Sequence, residues 1–222
     1  MIRLIKRDET IWSDLTYVDI PNGVTSIKQR LCSKKLRRKN IMNAVATKKT
    51  YSRFTEKDRK CFFDSADRVA PWLLGKILCR KISNEEILRF YITETEAYNH
   101  EDEACYGYGG KVTKDNAPLF EEGGTCCIYG EMLLISCGKA GEPDNVLIRA
   151  IGNTYTYCRG PVIVYEELRL DKTFSGSDIL TSDKLWLENA AGERLYCQTT
   201  RIGLSEKVKQ ADRDLKHRFI IL

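Results

Sequence analysis

Hydrophobic positions become regular only from about residue 58. Asp58 to Leu74 carries Phe62, Phe63, Ala66, Val69 and Ala70 on one helical stripe, which predicts an amphipathic helix. Pro71 is expected to break or restart it. Gly75 releases the chain into a strand from Ile77 to Ile82. Asn84 and its acidic neighbours make a turn, and a second strand runs from Ile87 to about Tyr98, so the pair reads as an antiparallel hairpin. Residues 99 to 124, with five glycines and Pro118, read as a loop-rich excursion. Strand-like runs return at Cys126 to Cys137 and Val146 to Ile151. Pro161 to Leu170 reads as a helix with proline in its first turn. Trp186 and Leu187 fall in a short strand, and Arg218 to Leu222 forms a closing one. There is no repeat. The pattern predicts an α+β class, a single domain around a curved antiparallel sheet with flanking helices. The domain is expected over residues 59–222, behind a basic N-terminal extension of residues 1–58.

Composition supports a folded chain. Of 222 residues, 42% are hydrophobic and 30% charged, which argues against wholesale disorder. No apolar run approaches the roughly 20 residues that span a bilayer. Nine cysteines, odd in number and without a C-x-x-C, read as thiols of a reducing compartment rather than a disulfide framework or zinc site. The net charge is +5, and its placement says more than its size. Thirteen Lys and Arg fall between Lys28 and Lys60, opposed by Glu56 and Asp58 alone. Such a segment suits phosphate neutralisation, and equally a solvated charged tail.

The stretch Ile92-Thr93-Glu94-Thr95-Glu96-Ala97-Tyr98 carries the chemistry. Alternation along a strand puts Glu94, Glu96 and Tyr98 on one face, with successive carboxylates about 7 Å apart. Each carboxylate disfavours ionisation of the other, one way to prepare a general base. Paired carboxylates can activate water against an oxocarbenium-like sugar, whether the leaving group is a nucleobase or an O-glycoside. A solvent-facing strand edge would look the same.

Glu94-Thr95-Glu96-Ala97-Tyr98 followed by Glu101-Asp102-Glu103-Ala104 resembles the signature of the alkyladenine (3-methyladenine) DNA glycosylase family. Further segments match in order: Leu73 to Leu78, Gly123-Gly124-Thr125 with Ile128-Tyr129-Gly130, Val146 to Ala150, Gly160-Pro161 with Leu168 to Phe174, Trp186-Leu187-Glu188, Arg201-Ile202-Gly203 and Leu215 to Phe219. Together they span about residues 59 to 221. The resemblance implies a monofunctional enzyme of base excision repair. It would flip an alkylated or deaminated purine from duplex DNA and hydrolyse the N-glycosidic bond without metal, cofactor or covalent intermediate. On that basis Glu96 is the general base, and Arg149 helps hold the attacking water and a phosphate. Tyr129 is the wedge that fills the gap left by the flipped nucleotide, Tyr98 stacks on the extruded base, and Leu147 lines the pocket. Without the resemblance, each tyrosine reads more readily as core packing with a satisfied hydroxyl.

Three pocket positions depart from the family pattern. Tyr106 stands for a histidine, Cys126 for a second stacking tyrosine, and Ser136 for an asparagine. The expected partner is double-stranded DNA containing damaged purines, met by a monomer away from membranes. The expected setting is a prokaryotic cytoplasm at the nucleoid, or a nucleus if the source is eukaryotic. Two other readings remain at this point: a non-catalytic DNA-binding relative, and a hydrolase of nucleosides or O-glycosides.

Overall fold

The computed structural model describes residues 51–190 and 194–222. The extension expected over 1–58, with most of its basic run, therefore lies largely outside the described residues. The part that is described belongs to the fold: Ser52–Arg53 (β1) pairs with a sheet strand, and Phe54 is buried in the main core.

The expected helix over residues 58–74 is two elements. A 3-10 turn spans Glu56–Phe62 and helix α1 spans Ala66–Leu73. Between them, Ser65 takes an extended N-cap conformation, and its N–H is held by the Asp64 carboxylate at 2.9 Å, so the chain restarts there. Pro71 lies inside α1, which ends two residues later. Ala66, Val69, Ala70 and Leu73 are its buried residues, the i, i+3, i+4, i+7 stripe of a one-faced helix. At the helix end the Leu74 N–H turns to the Pro71 carbonyl. The Thr95 hydroxyl donates to the Ala70 carbonyl instead, at 2.9 Å, tying α1 to the sheet.

The remaining strands are β2 (Ile77–Lys81), β3 (Ile87–Tyr98), β4 (Cys126–Tyr129), β5 (Met132–Ser136), β6 (Asn145–Gly152), β7 (Tyr157–Arg159), β8 (Leu185–Asn189), β9 (Tyr196–Thr199) and β10 (Arg218–Ile221). They form one curled sheet, antiparallel at every pairing seen among the described residues, with α2 (Pro161–Glu167) and α3 (Gln210–Arg213) beside it. This is the α+β arrangement the patterning predicts. The main path runs β1-β8-β2-β3-β6-β5-β4. No described helix is long and apolar enough to cross a membrane.

Two long central strands organise the sheet, and each changes partners halfway. The first half of β3 pairs with β2 and its second half with β10. Similarly, β6 pairs with β5 over Asn145–Leu147 and with β7 over Ala150–Gly152. The register between β3 and β6 is disturbed where these changes occur. Ile92 faces Ile151, Glu94 faces Ala150 and Thr95 faces Ile148, so Thr93 on one strand and Arg149 on the other are extra residues. Each extra residue reverses the inside-outside alternation that follows it. Phe90 and Ile92 point into the main core, and after Thr93 it is Ala97 that does so. On β6, Val146 and Ile148 are in that core, and after Arg149 it is Ile151.

Candidate active site

The double bulge puts Glu94 and Glu96 on the face away from the main core, and both are completely buried there. A solvent-facing edge is thereby excluded: β3 is an interior strand, and arginines cover its carboxylates. Glu94 Oε1 accepts from Arg218 Nε at 2.6 Å and Arg149 Nε at 3.1 Å, while Oε2 accepts from Arg159 Nε at 3.2 Å. Burial alone would raise the Glu94 carboxyl. The Arg218 hydrogen bond and the charges of Arg218, Arg149 and Arg159 outweigh it and hold the carboxyl below its ordinary range. Alternation thus places both carboxylates correctly, but Glu94 is matched by cations rather than opposed by Glu96 alone.

Glu96 is held by three donors. Oε1 accepts from the backbone N–H of Ile202 at 2.9 Å, and Oε2 accepts from the Tyr98 hydroxyl at 2.8 Å and Arg149 Nη1 at 3.3 Å. Arg149 therefore bridges the two carboxylates, a placement that follows from its position as the extra residue of β6. Counting formal charges, three guanidiniums surround two carboxylates, leaving one net positive charge at the seam.

Beyond Glu96 the same face becomes apolar and aromatic. Tyr98, Leu147, Leu134, Cys127, Cys105 and Leu119 form a second cluster, against which Tyr129 packs. Burial, followed by the Glu96 charge, pushes the Tyr98 phenol well up, so it stays a proton donor to that carboxylate. The Arg201 guanidinium lies 4.6 Å from the Tyr98 ring centre. It is itself buried, paired with Asp102, and donates to the carbonyls of Ala97 at 2.9 Å and Asp212 at 2.8 Å. Tyr98 is thus fixed at its hydroxyl and on one face of its ring.

Tyr129 ends β4 beside the two-residue turn at Gly130-Glu131, where Gly130 has φ 60°. Its ring stacks on Tyr106, with centres 3.8 Å apart and planes 22° apart. Tyr106 is 39% exposed and belongs to the loop after β3. Its backbone carbonyl is held at 2.7 Å by the side-chain amide of the buried Asn116. Burial raises the Tyr106 phenol, and the nearby Tyr129 and Glu96 raise it further. The expected wedge and the residue standing for the family histidine are therefore partners in this state.

The structure gathers Glu96, Tyr98, Tyr106, Tyr129, Leu147 and Arg149 on one face. Cys126 lies on the other: it is fully buried in the main core with Ile128, and Cys127 takes the site-facing position. Ser136 has the site-facing parity but is roofed over. Its hydroxyl donates to the Glu122 carbonyl at 2.7 Å and accepts from the Thr125 N–H at 3.0 Å. Opposite it in register stands Asn145, fully buried. Its amide nitrogen donates to the Pro143 carbonyl at 2.9 Å, and its Oδ1 has no partner among the described residues. Asn145, Arg201, Arg218, Arg159 and the Ile202 N–H are the site groups that sequence reasoning gave no role. Arg201 and Ile202 lie in a matching segment, but their contact with β3 spans about a hundred residues of chain.

Among the described residues no group of three or more His, Cys, Asp or Glu side chains is placed to hold a metal. The eight described cysteines are unpaired thiols. Burial pushes Cys126 up to about 12 and Cys127 to about 11, so both are neutral thiols near pH 7. A recess of about 600 Å³ elsewhere is lined by Arg59, Glu121, Glu122 and Asp178 and shares no residue with the Glu96 site.

Residues 60–222 match the family model described as methylpurine-DNA glycosylase (MPG). A putative 3-methyladenine DNA glycosylase of Borreliella burgdorferi (strain ZS7) is 35% identical over 144 residues, covering 59% of this chain and 77% of that protein. One from Psychrobacter cryohalolentis is 30% identical over 166 residues, covering 61% and 78%. The DNA-3-methyladenine glycosylase of Homo sapiens is 28% identical over 187 residues, covering 70% of this chain and 63% of the human protein. With the model matching most of its length, the chain belongs to the methylpurine-DNA glycosylase family.

Proposed function

We propose that this protein is a monofunctional DNA-repair glycosylase that takes an alkylated or deaminated purine out of duplex DNA and hydrolyses its N-glycosidic bond. The observation that carries the reading is the setting of Glu96. A buried carboxylate with three fixed donors lies at the end of an aromatic and aliphatic face, beside a cationic seam. In the proposed step a water oxygen attacks the anomeric carbon and its proton passes to Glu96. The carbon–nitrogen bond breaks, and its electron pair leaves with the base. Arg149 keeps Glu96 oriented between turnovers. Tyr98 supplies a ring for the extruded base, with Leu147 beside it, and Tyr129 fills the vacated place in the stack. Glu96 is fully covered in this state, so the Tyr106–Tyr129 stack parts as nucleotide and water enter. The basic run from Lys28 to Lys60 adds sequence-independent phosphate contacts.

Excision from duplex oligonucleotides, each bearing one modified purine, tests this directly. Glu96→Gln should lower base release by about 10²–10⁴ while lesion-DNA affinity stays within a few-fold. Undiminished release by that variant would remove Glu96 as the base. A wild-type protein that binds lesion duplex and releases nothing would instead be a non-catalytic relative.

A further inference from the structure

We infer that Arg159 is a second phosphate-binding arginine of this site, gripping the DNA backbone beside the nucleotide whose base reaches Glu96. Its ligand class rests on the glycosylase reading. Its geometry does not.

The argument begins with register. Glu94 on β3, Ala150 on β6 and Arg159 on β7 form one row across three neighbouring strands. The middle residue is an alanine, so the two long side chains meet above it, with Arg159 Nε 3.2 Å from Glu94 Oε2. Glu94 does not need this partner. It already holds Arg149 and Arg218, whose side chains are 12% and 9% exposed. Arg159 is different: its side chain is 59% exposed, and its terminal Nη1 and Nη2 have no partner among the described residues. It is a guanidinium oriented by a buried carboxylate that two other cations neutralise, and it presents a donor edge to solvent.

Position completes the case. Arg159 and Arg149 grip the same carboxylate, and Arg149 also grips Glu96, so the exposed donors sit one carboxylate away from the proposed base. Tyr157, two residues back on the same face of β7, is 60% exposed and packs over Gly152, while Cys158 between them turns into the core. The edge of the site face is thus an arginine and a tyrosine open to solvent. A guanidinium fork whose own charge is left over once Arg149 and Arg218 have matched Glu94 and Glu96 suits the two free oxygens of a phosphodiester. A flipped nucleotide must carry its flanking phosphates to the rim of the site that takes its base.

Equilibrium binding of the full chain to a duplex carrying one tetrahydrofuran abasic analogue, from 50 to 200 mM salt, reads this without catalysis. Arg159→Gln should weaken binding about tenfold, the scale of one charge-assisted hydrogen bond. The slope of log K against log salt should become shallower by about 0.9, the value for one phosphate. Arg159→Lys should keep the slope. Neutral methylphosphonates, placed singly around the analogue, should reveal one position that weakens the wild type but not Arg159→Gln. Unchanged affinity and slope in Arg159→Gln would overturn the inference. So would a Lys variant as weak as Gln, or methylphosphonates that weaken both proteins alike at every position. Failure of the glycosylase reading looks different: the wild type itself would bind the analogue no better than undamaged duplex.

Discussion

The two halves of β3 share one alternation and put it to opposite uses. Phe90 and Ile92 are even-numbered and enter the main core, whereas Glu94 and Glu96, also even-numbered, emerge on the other side among arginines. Only Thr93 separates them, the residue left out of register against β6. Residues of one parity can seal a core and then display two carboxylates only with an extra residue between the two tasks. The matching extra residue on β6 is Arg149, so one irregularity serves both the fold and the site. Its position, where β3 exchanges β2 for β10 and β6 exchanges β5 for β7, also brings Arg218 and Arg159 to Glu94.

Deleting Thr93 breaks the comparison most severely. Alternation from Ile92 would still turn Glu94 away from the core, but β3 would be one residue, about 3.3 Å, short of the β6 segment it now matches around Arg149. Its two halves could then not both keep their registers with β2 and β10. The deletion variant should melt at a clearly lower temperature than wild type. A variant that melts within a few degrees of wild type would show that a single bulge at Arg149 absorbs the loss.

Glu94→Gln is the next largest. It leaves Arg218 nearly buried without its charge partner and Arg149 with Glu96 alone, and should lower unfolding free energy by about 3 kcal/mol in urea titrations. Its pH dependence has a definite sign. The folded Glu94 carboxyl lies below its ordinary 4.5, so its stabilisation is present above that value and is lost as pH falls through the folded value. Wild type should therefore lose stability below about pH 4.5 more steeply than Glu94→Gln. Parallel acid limbs would mean that Glu94 carries no such linkage.

Much of this was legible from sequence, and the failures have physical causes. The β2–β3 hairpin, the shared face of Glu94, Glu96 and Tyr98, and the closing strand follow from local alternation. The bulge was present as an unread conflict: apolar residues at 88, 90 and 92 give way to Thr95 and Ala97. Counting back in steps of two from Tyr129 reaches Cys127, which would have put Cys126 in the core. Alternation predicts no strand at β7 or β9 because each is only three or four residues long and largely exposed. Ser136 is expected in the pocket through its match to the family asparagine, but the loop through Glu122 and Thr125 that roofs it is a tertiary fact. The arginines on Glu94 come from 55, 65 and 124 residues away, beyond any local pattern.

The tyrosine stack allows a finer test of the site-facing half. An aromatic pair of this geometry is worth about 0.5–1.5 kcal/mol. If Tyr129 must leave Tyr106 to enter DNA, Tyr106→Ala removes that cost. Affinity for a duplex with an abasic analogue, which needs the wedge but offers no base, should rise by up to about tenfold. Excision of a real lesion should fall if Tyr106 also lines the proposed base pocket. Weaker binding to the abasic duplex would mean that the two rings enter DNA as a unit.

The smallest effect should come from Thr93 itself. Its side chain is nearly buried, and its hydroxyl is among the buried polar atoms without a hydrogen-bond partner. The bulge needs a residue at this position, but nothing seen here uses its oxygen. Its methyl group lies over Gly152, 3.9 Å from where a Cβ there would stand. Valine keeps the β-branched shape that suits an extended backbone and removes the unpaired polar group. Thr93→Val should therefore raise stability by about 1 kcal/mol, seen as a higher urea midpoint at unchanged slope, with excision kinetics like wild type. Deletion and valine replacement at one position then have opposite signs, because the fold requires the backbone of residue 93 and not its hydroxyl. A Thr93→Val variant less stable by about 1 kcal/mol would show that the hydroxyl holds a bridging water, and the bulge would then depend on side-chain chemistry as well as on residue count.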